Sequence, residues 1–271
     1  MDLWSRRHGE NEGNYDGFAG VIGNYDPTSW PGLCRNGRSQ SPIDLASEST
    51  TYRWIEPLQF VNFDADGPLT LVNTGWSIEL QGFLSWTNRP IIYGGNLNTA
   101  YNLVNIHFHW GQNTSHGSEH SVNGLNYAAE MHFVFSKTGK TPERNDTRRT
   151  TTDLHVLSIL LKVNTKRGVL SSLEGSLAEI VENGRSNAIS NITPYHFLPN
   201  NLDHFYRYTG SLTTPPCTEG VVWTVMATPV DISVRQLNLL RQIHSTDETP
   251  FIPGNFRNTQ KLNSREVLFK I

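Results

Sequence analysis

The chain has 271 residues, a formal net charge of −3 and 37% hydrophobic residues. That length can bury a sizeable core, and a β-rich chain of this size can form one domain. The nearly balanced charge gives no indication of a basic surface that would bind nucleic acid. The sequence contains no run of about 18 apolar residues, so no membrane span is predicted.

The chain begins with a polar, glycine-rich stretch. Residues 1–24 are predicted to form a loose arm, and residues 25–271 a single domain, because no repeat or shift in composition divides them. The first ten residues lack the apolar segment of a signal peptide. We therefore expect either a cytosolic protein or a mature secreted form that carries an added start Met.

Strand patterns dominate the rest of the chain. Apolar and β-branched runs bounded by Gly, Asn and Asp predict strands at residues 69–73, 78–80, 103–110, 127–136, 154–163 and 221–228. Helical stripes are few. One contains Leu173 and Leu177 and stops at Gly184, and another contains Leu237 and Leu240 with Ser233 as its N-cap.

Two of these strands carry histidines at spacings that suit a metal. His107 and His109 lie two residues apart and so share one face of a strand, and His132 lies on the next predicted strand. Three neutral imidazoles converging from two strands would make a zinc site with an open fourth position, which is the catalytic arrangement. An isolated His-x-His is more often a surface or core feature, and spacing alone does not show that the two strands are neighbours.

Residues 107–111 (His-Phe-His-Trp-Gly), 117–120 (Gly-Ser-Glu-His) and 127–132 (Tyr-Ala-Ala-Glu-Met-His) resemble the metal-site region of the α-class carbonic anhydrases, in the same order and spacing. The resemblance extends from about residue 25 to the C-terminus and includes residues 40–45 and 211–216. It implies a mainly β fold, a single domain around a large, twisted, mostly antiparallel central sheet with short peripheral helices. It also implies Zn²⁺ held by His107, His109 and His132, and reversible hydration of carbon dioxide to bicarbonate and a proton by zinc-bound hydroxide.

The resemblance also assigns groups that orient the ligands. Glu130 matches a glutamate that accepts a hydrogen bond from the ligand at His132, and Asn255 matches a residue whose backbone carbonyl accepts from the ligand at His109. Asn105 stands where the family commonly has a glutamine serving the ligand at His107. Because asparagine is one methylene shorter, that contact is at risk of being lost or bridged by water.

Substrate orientation is assigned to the segment around Thr213. Thr213 resembles the family's gatekeeper threonine, whose hydroxyl donates to a buried carboxylate, and Glu119 stands where that carboxylate belongs. Thr214 would line the bicarbonate site, and His120 with Tyr208 matches a structural pair. The apolar wall of the carbon dioxide pocket matches Val134, Val156, Leu212, Val221 and Trp223.

The sequence departs from the family at the mouth of the cleft. Fast members carry a histidine there that shuttles protons, and this position holds Trp76. Indole cannot take up a proton near neutral pH, so we expect turnover limited by proton transfer and dependent on buffer. The family's N-terminal Trp-x-Tyr motif has three possible counterparts, Tyr15, Phe18 and Tyr25.

The two cysteines, Cys34 and Cys217, would by default be separate buried thiols. The resemblance instead implies a disulfide, since secreted members pair cysteines at these two positions. With acceptor sequons at Asn113, Asn145 and Asn191, this favours a secreted, extracellular glycoprotein.

Two other functions compete with this prediction. One is a carbonic-anhydrase-like extracellular binding or matrix protein with residual or no activity. The other, a metalloprotease, lacks support because no His-Glu-x-x-His segment is present. The remaining histidines receive no metal role and are expected to be solvated loop residues: His8, His116, His155, His196, His204 and His244.

Overall fold

The computed structural model describes residues 27–138, 153–165, 168–245, 251–252 and 254–271. Several predictions fall outside these ranges, namely the loose arm at residues 1–24, the sequon at Asn145, and the three candidates Tyr15, Phe18 and Tyr25.

Thirteen strands form one sheet in the described part of the chain. They are β1 (Thr50–Arg53), β2 (Leu58–Val61), β3 (Leu69–Asn73), β4 (Ile78–Gln81), β5 (Ile91–Gly94), β6 (Tyr101–Trp110), β7 (Ala129–Lys137), β8 (Leu154–Asn164), β9 (Ser186–Ile189), β10 (Phe205–Ser211), β11 (Glu219–Met226), β12 (Val230–Ser233) and β13 (Val267–Lys270). Each of the six predicted strands is present, with ends shifted by no more than two residues.

The sheet is open and mixed. Its main strand order is β1-β13-β10-β11-β8-β7-β6-β4-β3-β9, while β12 pairs with β8, and β5 pairs with β2 and β6. The pairs β1–β13, β11–β8 and β12–β8 are parallel, and the other pairs described are antiparallel. The predicted mainly β, single-domain fold around a large, mostly antiparallel sheet is therefore confirmed.

The central strands are buried on both faces, which explains their continuous apolar character. Nearly every residue of β6 and β7 is buried. Alternate side chains enter two separate clusters. Phe133 and Phe135 of β7 enter the larger cluster, whereas Val134 enters a smaller one with Trp223 of β11.

Helices are short and peripheral. In the described ranges they are α1 (Leu33–Asn36), α2 (Glu174–Glu179) and α3 (Val234–Arg241). The side chain of the predicted N-cap, Ser233, accepts a hydrogen bond from the backbone N–H of Gln236. The Gln236 side chain in turn accepts from the backbone N–H of Ser233, which completes a capping box. None of these helices combines the length and apolar character needed to cross a bilayer.

A disulfide joins Cys34 of α1 to Cys217, which lies between β10 and β11, with their Cα atoms 5.0 Å apart. The implied pairing is therefore present, and it packs against Trp30. It ties the segment before β1 to the loop containing Thr213 and Thr214.

Candidate metal centre

The register between β6 and β7 brings the three predicted histidines together. His107 lies directly opposite His132, and His109 lies opposite Glu130. The ring centroids are 5.1 Å apart for His107 and His109, 5.2 Å for His107 and His132, and 4.6 Å for His109 and His132. One nitrogen from each ring lies within 4.8 Å of the other two.

Each ring is held through its outer nitrogen. His107 Nδ1 lies 3.3 Å from Asn105 Oδ1, His109 Nδ1 lies 2.8 Å from the Asn255 carbonyl, and His132 Nε2 lies 2.7 Å from Glu130 Oε1. These partners can only accept, so each outer nitrogen carries the proton. The atoms left with lone pairs are therefore Nε2 of His107, Nε2 of His109 and Nδ1 of His132.

A free lone pair in a buried site requires a partner. His109 is 3% exposed, and its Nε2 has no hydrogen-bond partner although the atom is buried. A borderline-soft cation bound by nitrogen is the group that fits such an atom, and the set of three imidazoles is that of a catalytic zinc site. The residues present therefore fit zinc.

The electrostatics keep all three imidazoles neutral, as metal binding requires. Burial, followed by the neighbouring His109 and His132, holds the pKa of His107 well below its usual value. Burial also lowers the pKa of His109 and of His132, and for His132 the His109 ring adds to the effect. The three rings are thus ready to bind a cation near neutral pH without first losing a proton.

Glu130 is the centre of the hydrogen bonds behind the site. Its Oε1 accepts from His132 Nε2, His120 Nδ1 and Ser158 Oγ, and its Oε2 accepts from the backbone N–H groups of Glu119 and His120. Burial alone would raise the pKa of this carboxyl, but the charge and hydrogen bonds of His120 and the hydrogen bond of His132 hold it well below the usual value. Glu130 is therefore an ionised acceptor that orients His132.

A second group of metal-ligating side chains, His120, Glu130 and His132, also lies close together. Hydrogen bonds explain it, because Glu130 Oε1 lies 2.7 Å from both rings. The other nitrogen of His120 lies 2.7 Å from the Tyr208 hydroxyl. That hydroxyl in turn contacts Ser41 Oγ at 2.8 Å. The group is a hydrogen-bond chain with no lone pairs left for a second ion.

Asn255 fastens the C-terminal segment to β6. Its Oδ1 accepts from the backbone N–H of Trp110, and its Nδ2 donates to the carbonyls of Phe108 and Trp76. These bonds fix the carbonyl that accepts from His109.

Glu119 and Thr213 lie next to this site, and both are buried. Burial raises the pKa of Glu119 to about 7, although His132, the Arg257 backbone N–H and the Thr213 hydroxyl each act to lower it. Glu119 Oε1 accepts from Arg257 N at 2.9 Å and lies 3.5 Å from His109 Nδ1. Oε2 is buried and forms no hydrogen bond of normal geometry, and the Thr213 side chain is close enough to the carboxyl to affect its pKa.

The predicted apolar wall lies beside the imidazoles. Val134, Val156, Val221 and Trp223 share one cluster, with Leu212 packed against it. The Trp223 ring meets the His132 ring edge to face at 5.0 Å, so the wall adjoins the proposed metal. Thr214, partly exposed, accepts from the backbone N–H of Cys217 through its carbonyl at 2.9 Å.

The remaining predicted positions differ in their exposure to solvent. Trp76 is half-buried, and the asparagines of the two described sequons, Asn113 and Asn191, are exposed. His8 lies outside the described residues, and among the described histidines the prediction of a solvated loop position is wrong for His155. It is fully buried on β8, because the strand predicted at residues 154–163 places it in the centre of the sheet and not in a solvated loop.

Sequence reasoning missed two contributors to the site. Ser158 lies opposite His132 and donates to Glu130 at 2.6 Å. Arg257 donates its backbone N–H to Glu119. Only the position of Arg257, two residues after Asn255, could have drawn attention to it.

Comparison with known proteins gives a consistent assignment. A family model described as eukaryotic-type carbonic anhydrase matches residues 25–271. The chain is 38% identical over 250 residues to "Putative carbonic anhydrase 5" of Caenorhabditis elegans, across 91% of this chain and 80% of that protein. It is 36% identical over 243 residues to "Putative carbonic anhydrase 3" of the same organism, across 89% and 92% of the two chains. It is 33% identical over 247 residues to "Carbonic anhydrase 1" of Mus musculus, across 89% and 94%. The chain therefore belongs to the eukaryotic-type carbonic anhydrase family.

Proposed function

We propose that this protein catalyses the zinc-dependent, reversible hydration of carbon dioxide to bicarbonate and a proton. The observation that carries the proposal is the convergence of three imidazole nitrogens within 4.8 Å, one of them, His109 Nε2, buried and without a partner. His107, His109 and His132 would hold the ion, and three protein ligands leave one position open for chemistry.

When bound, zinc would act as a Lewis acid that lets water serve as a nucleophile near neutral pH. Glu130, Asn105 and the Asn255 carbonyl hold the rings in the tautomers that point lone pairs inward. Asn105 keeps its contact with His107, at 3.3 Å, which is near the long end for a hydrogen bond.

Thr213 would aim the nucleophile. If its hydroxyl proton is donated to Glu119, only lone pairs remain on its oxygen, and these can accept the nucleophile's own proton. That hydrogen bond fixes which lone pair of the nucleophile faces the substrate. Thr214 would then receive the bicarbonate.

Carbon dioxide is apolar, so a water-excluding wall suits it. Val134, Val156, Leu212, Val221 and Trp223 supply that wall beside His132. Proton release is the weak step of this arrangement, because Trp76 offers no group that titrates near neutral pH. We therefore propose that turnover is limited by proton transfer and is strongly dependent on buffer.

The test is a stopped-flow hydration assay combined with metal analysis. The wild-type protein should contain about one zinc ion per chain and hydrate carbon dioxide. Loss of a residue that only orients a ligand typically lowers zinc affinity or activity by roughly 10- to 100-fold. His107→Ala removes a ligand itself, so its zinc affinity and hydration rate should fall by more than that. His155→Gln, a buried histidine outside the site, is the matched control and should keep both properties. Zinc-loaded wild-type protein that hydrates carbon dioxide no faster than His107→Ala would instead favour a binding or matrix role.

We also propose that the protein works outside the cell. The Cys34–Cys217 disulfide is typical of oxidising compartments, and Asn113 and Asn191 are exposed enough to accept a glycan. Expression in a secretory host should give a mass decrease on treatment with an N-glycosidase. Free thiols at Cys34 and Cys217 in protein from its natural source would contradict this location.

A further inference from the structure

Arg257 is a fully buried arginine that the proposed chemistry does not use. It is 2% exposed, and a buried guanidinium must have its donors satisfied. Nη1 donates to Gln40 Oε1 at 2.9 Å and to the Ser41 carbonyl at 2.8 Å, and Nη2 donates to the Cys34 carbonyl at 2.5 Å. The group also lies over the Trp30 ring, 5.8 Å from its centroid.

The backbone of the same residue reaches the site. Arg257 N donates to Glu119 Oε1 at 2.9 Å, and two residues earlier the Asn255 carbonyl lies 2.8 Å from His109 Nδ1. One short segment therefore holds both a proposed metal ligand and the carboxyl that faces Thr213.

The acceptors of the guanidinium belong to the unit that carries the threonine loop. Gln40 Nε2 donates to the Cys217 carbonyl at 3.0 Å, and the disulfide joins Cys34 to Cys217. Cys217 N in turn donates to the Thr214 carbonyl at 2.9 Å. Arg257 thus connects the position of Glu119 to the position of the loop that presents Thr213 and Thr214.

We propose that Arg257 is a positioning residue for the reaction: its guanidinium, bound to Cys34, Gln40 and Ser41, fixes the backbone N–H that turns Glu119 toward Thr213. The inference rests on the proposed carbon dioxide hydration. Oε1 of Glu119 is restrained by this N–H, which leaves Oε2 for the Thr213 hydroxyl. Rotation of the carboxyl would remove that acceptor, and small misplacements near reacting groups are costly to rate.

A double-mutant cycle between Arg257→Lys and Glu119→Gln tests the proposal. Arg257→Lys keeps the charge but loses the planar fork, and it should lower kcat for carbon dioxide hydration by about tenfold with unchanged zinc content. In the Glu119→Gln background the same change should lower kcat little further, because the carboxylate that it aims is absent. Losses that multiply would overturn the proposal and leave Arg257 a purely structural arginine.

Arg265→Lys is the matched control. Arg265 also donates to backbone carbonyls, at Leu262, Thr209 and Lys261, and it has no hydrogen bond to Glu119 or to the disulfide unit in the described structure. It should keep the wild-type kcat. If Arg257→Lys does not fold, Gln40→Met removes one acceptor of the guanidinium and leaves Arg257 in place. Gln40→Met should then lower kcat less than Arg257→Lys would, and it should again lower kcat little further in the Glu119→Gln background.

A second readout needs no activity. In metal-free protein, the changes in the urea unfolding constant for Arg257→Lys and Glu119→Gln should fail to multiply, because the guanidinium fixes the Arg257 backbone N–H that donates to Glu119. Multiplicative changes would overturn the link. Wild-type protein without hydration activity would instead overturn the proposed function, and the metal-free cycle would still decide whether Arg257 holds Glu119.

Discussion

Buried histidines lie on both faces of the central strands, and their hydrogen-bond partners differ between the two faces. His132 pairs with Ser158 across β7 and β8, whereas His155 pairs with Phe135. Since alternate residues point to opposite faces, His155 is on the face opposite to Ser158 and His132. Its ring lies 5.4 Å from Phe135, in the larger apolar cluster. On both faces burial is the leading cause of a lowered imidazole pKa.

The partners differ. Behind the proposed metal ligands, acceptors hold every outer nitrogen, and three inner nitrogens converge. His155 Nε2 instead lies 2.8 Å from Thr224 Oγ1, which also accepts from Arg207 Nε at 3.0 Å. In the described ranges, no group of metal-ligating side chains includes His155. Burial makes an imidazole neutral, but convergence of several such rings is what makes a ligand set.

Among substitutions that leave the three proposed ligands in place, the largest expected effect comes from removing the charged acceptor on the metal face. Glu130→Gln should weaken zinc binding by roughly 10- to 100-fold, because one amide oxygen cannot replace a carboxylate that accepts five hydrogen bonds. Competition against a chromophoric chelator measures this. Thr224→Val removes the partner of His155 on the other face and should leave zinc affinity unchanged. Equal losses in both variants would mean that general destabilisation, and not orientation of His132, controls zinc binding.

Sequence patterns anticipated the metal face better than the opposite face. The period-two spacing places His107 and His109 on one side of a strand, and the strands themselves were predicted to within two residues of their ends. The pairing of His107 with His132 depends on register across a connection of 18 residues, between β6 and β7, and only the family resemblance supplied it.

The errors have physical causes. The prediction of a solvated loop position treats His155 like the other histidines whose spacing suggests no metal site, although it falls within a predicted strand. Whether a strand residue is buried depends on what packs against each face, which is decided by tertiary structure. Arg257 lies outside the described helices and strands, so no periodic pattern marks it, and its acceptors are more than 200 residues away in the chain.

The second prediction concerns the opposite face and pH. Burial, with the charge of Arg207 as a second cause, holds the pKa of His155 well below its usual value, so the folded protein keeps this ring neutral. Below about pH 6.5 the unfolded chain binds a proton there that the folded chain does not. The stability contributed by neutral His155 is therefore present above that pH and is lost as pH falls toward the folded pKa.

His155→Gln keeps a side chain that can bond Thr224 but cannot titrate. In metal-free protein, the free energy of unfolding should fall less steeply below pH 6.5 than in wild type, by up to about 1.4 kcal/mol per pH unit. Urea unfolding at pH 7 and pH 5.5 measures the difference. The exposed His196→Gln is the control and should follow the wild-type curve. A slope unchanged by His155→Gln would show that this ring is already protonated in the folded state.

The smallest expected effect concerns a histidine that could carry protons to solvent, which neither face of the sheet contains among its buried histidines. Burial lowers the pKa of the imidazoles in both sets, so none of them can exchange protons readily with water near pH 7. An imidazole at position 76, which is half-buried and not fully buried, would keep a pKa closer to the usual value of a histidine and could do so. At that position Trp76 is held through its carbonyl by Asn255 Nδ2 at 2.9 Å, a contact that a side-chain substitution preserves.

Trp76→His should therefore raise kcat for carbon dioxide hydration severalfold in weak buffer and change it little in strong buffer, where buffer molecules already remove the proton. Trp76→Gln opens the same space without a titratable group and should bring no gain. If both variants gain equally, access to the cleft and not proton transfer limits turnover. If neither variant gains in weak buffer, the proton already leaves by a route that does not involve position 76. The absence of a histidine there would then not limit kcat.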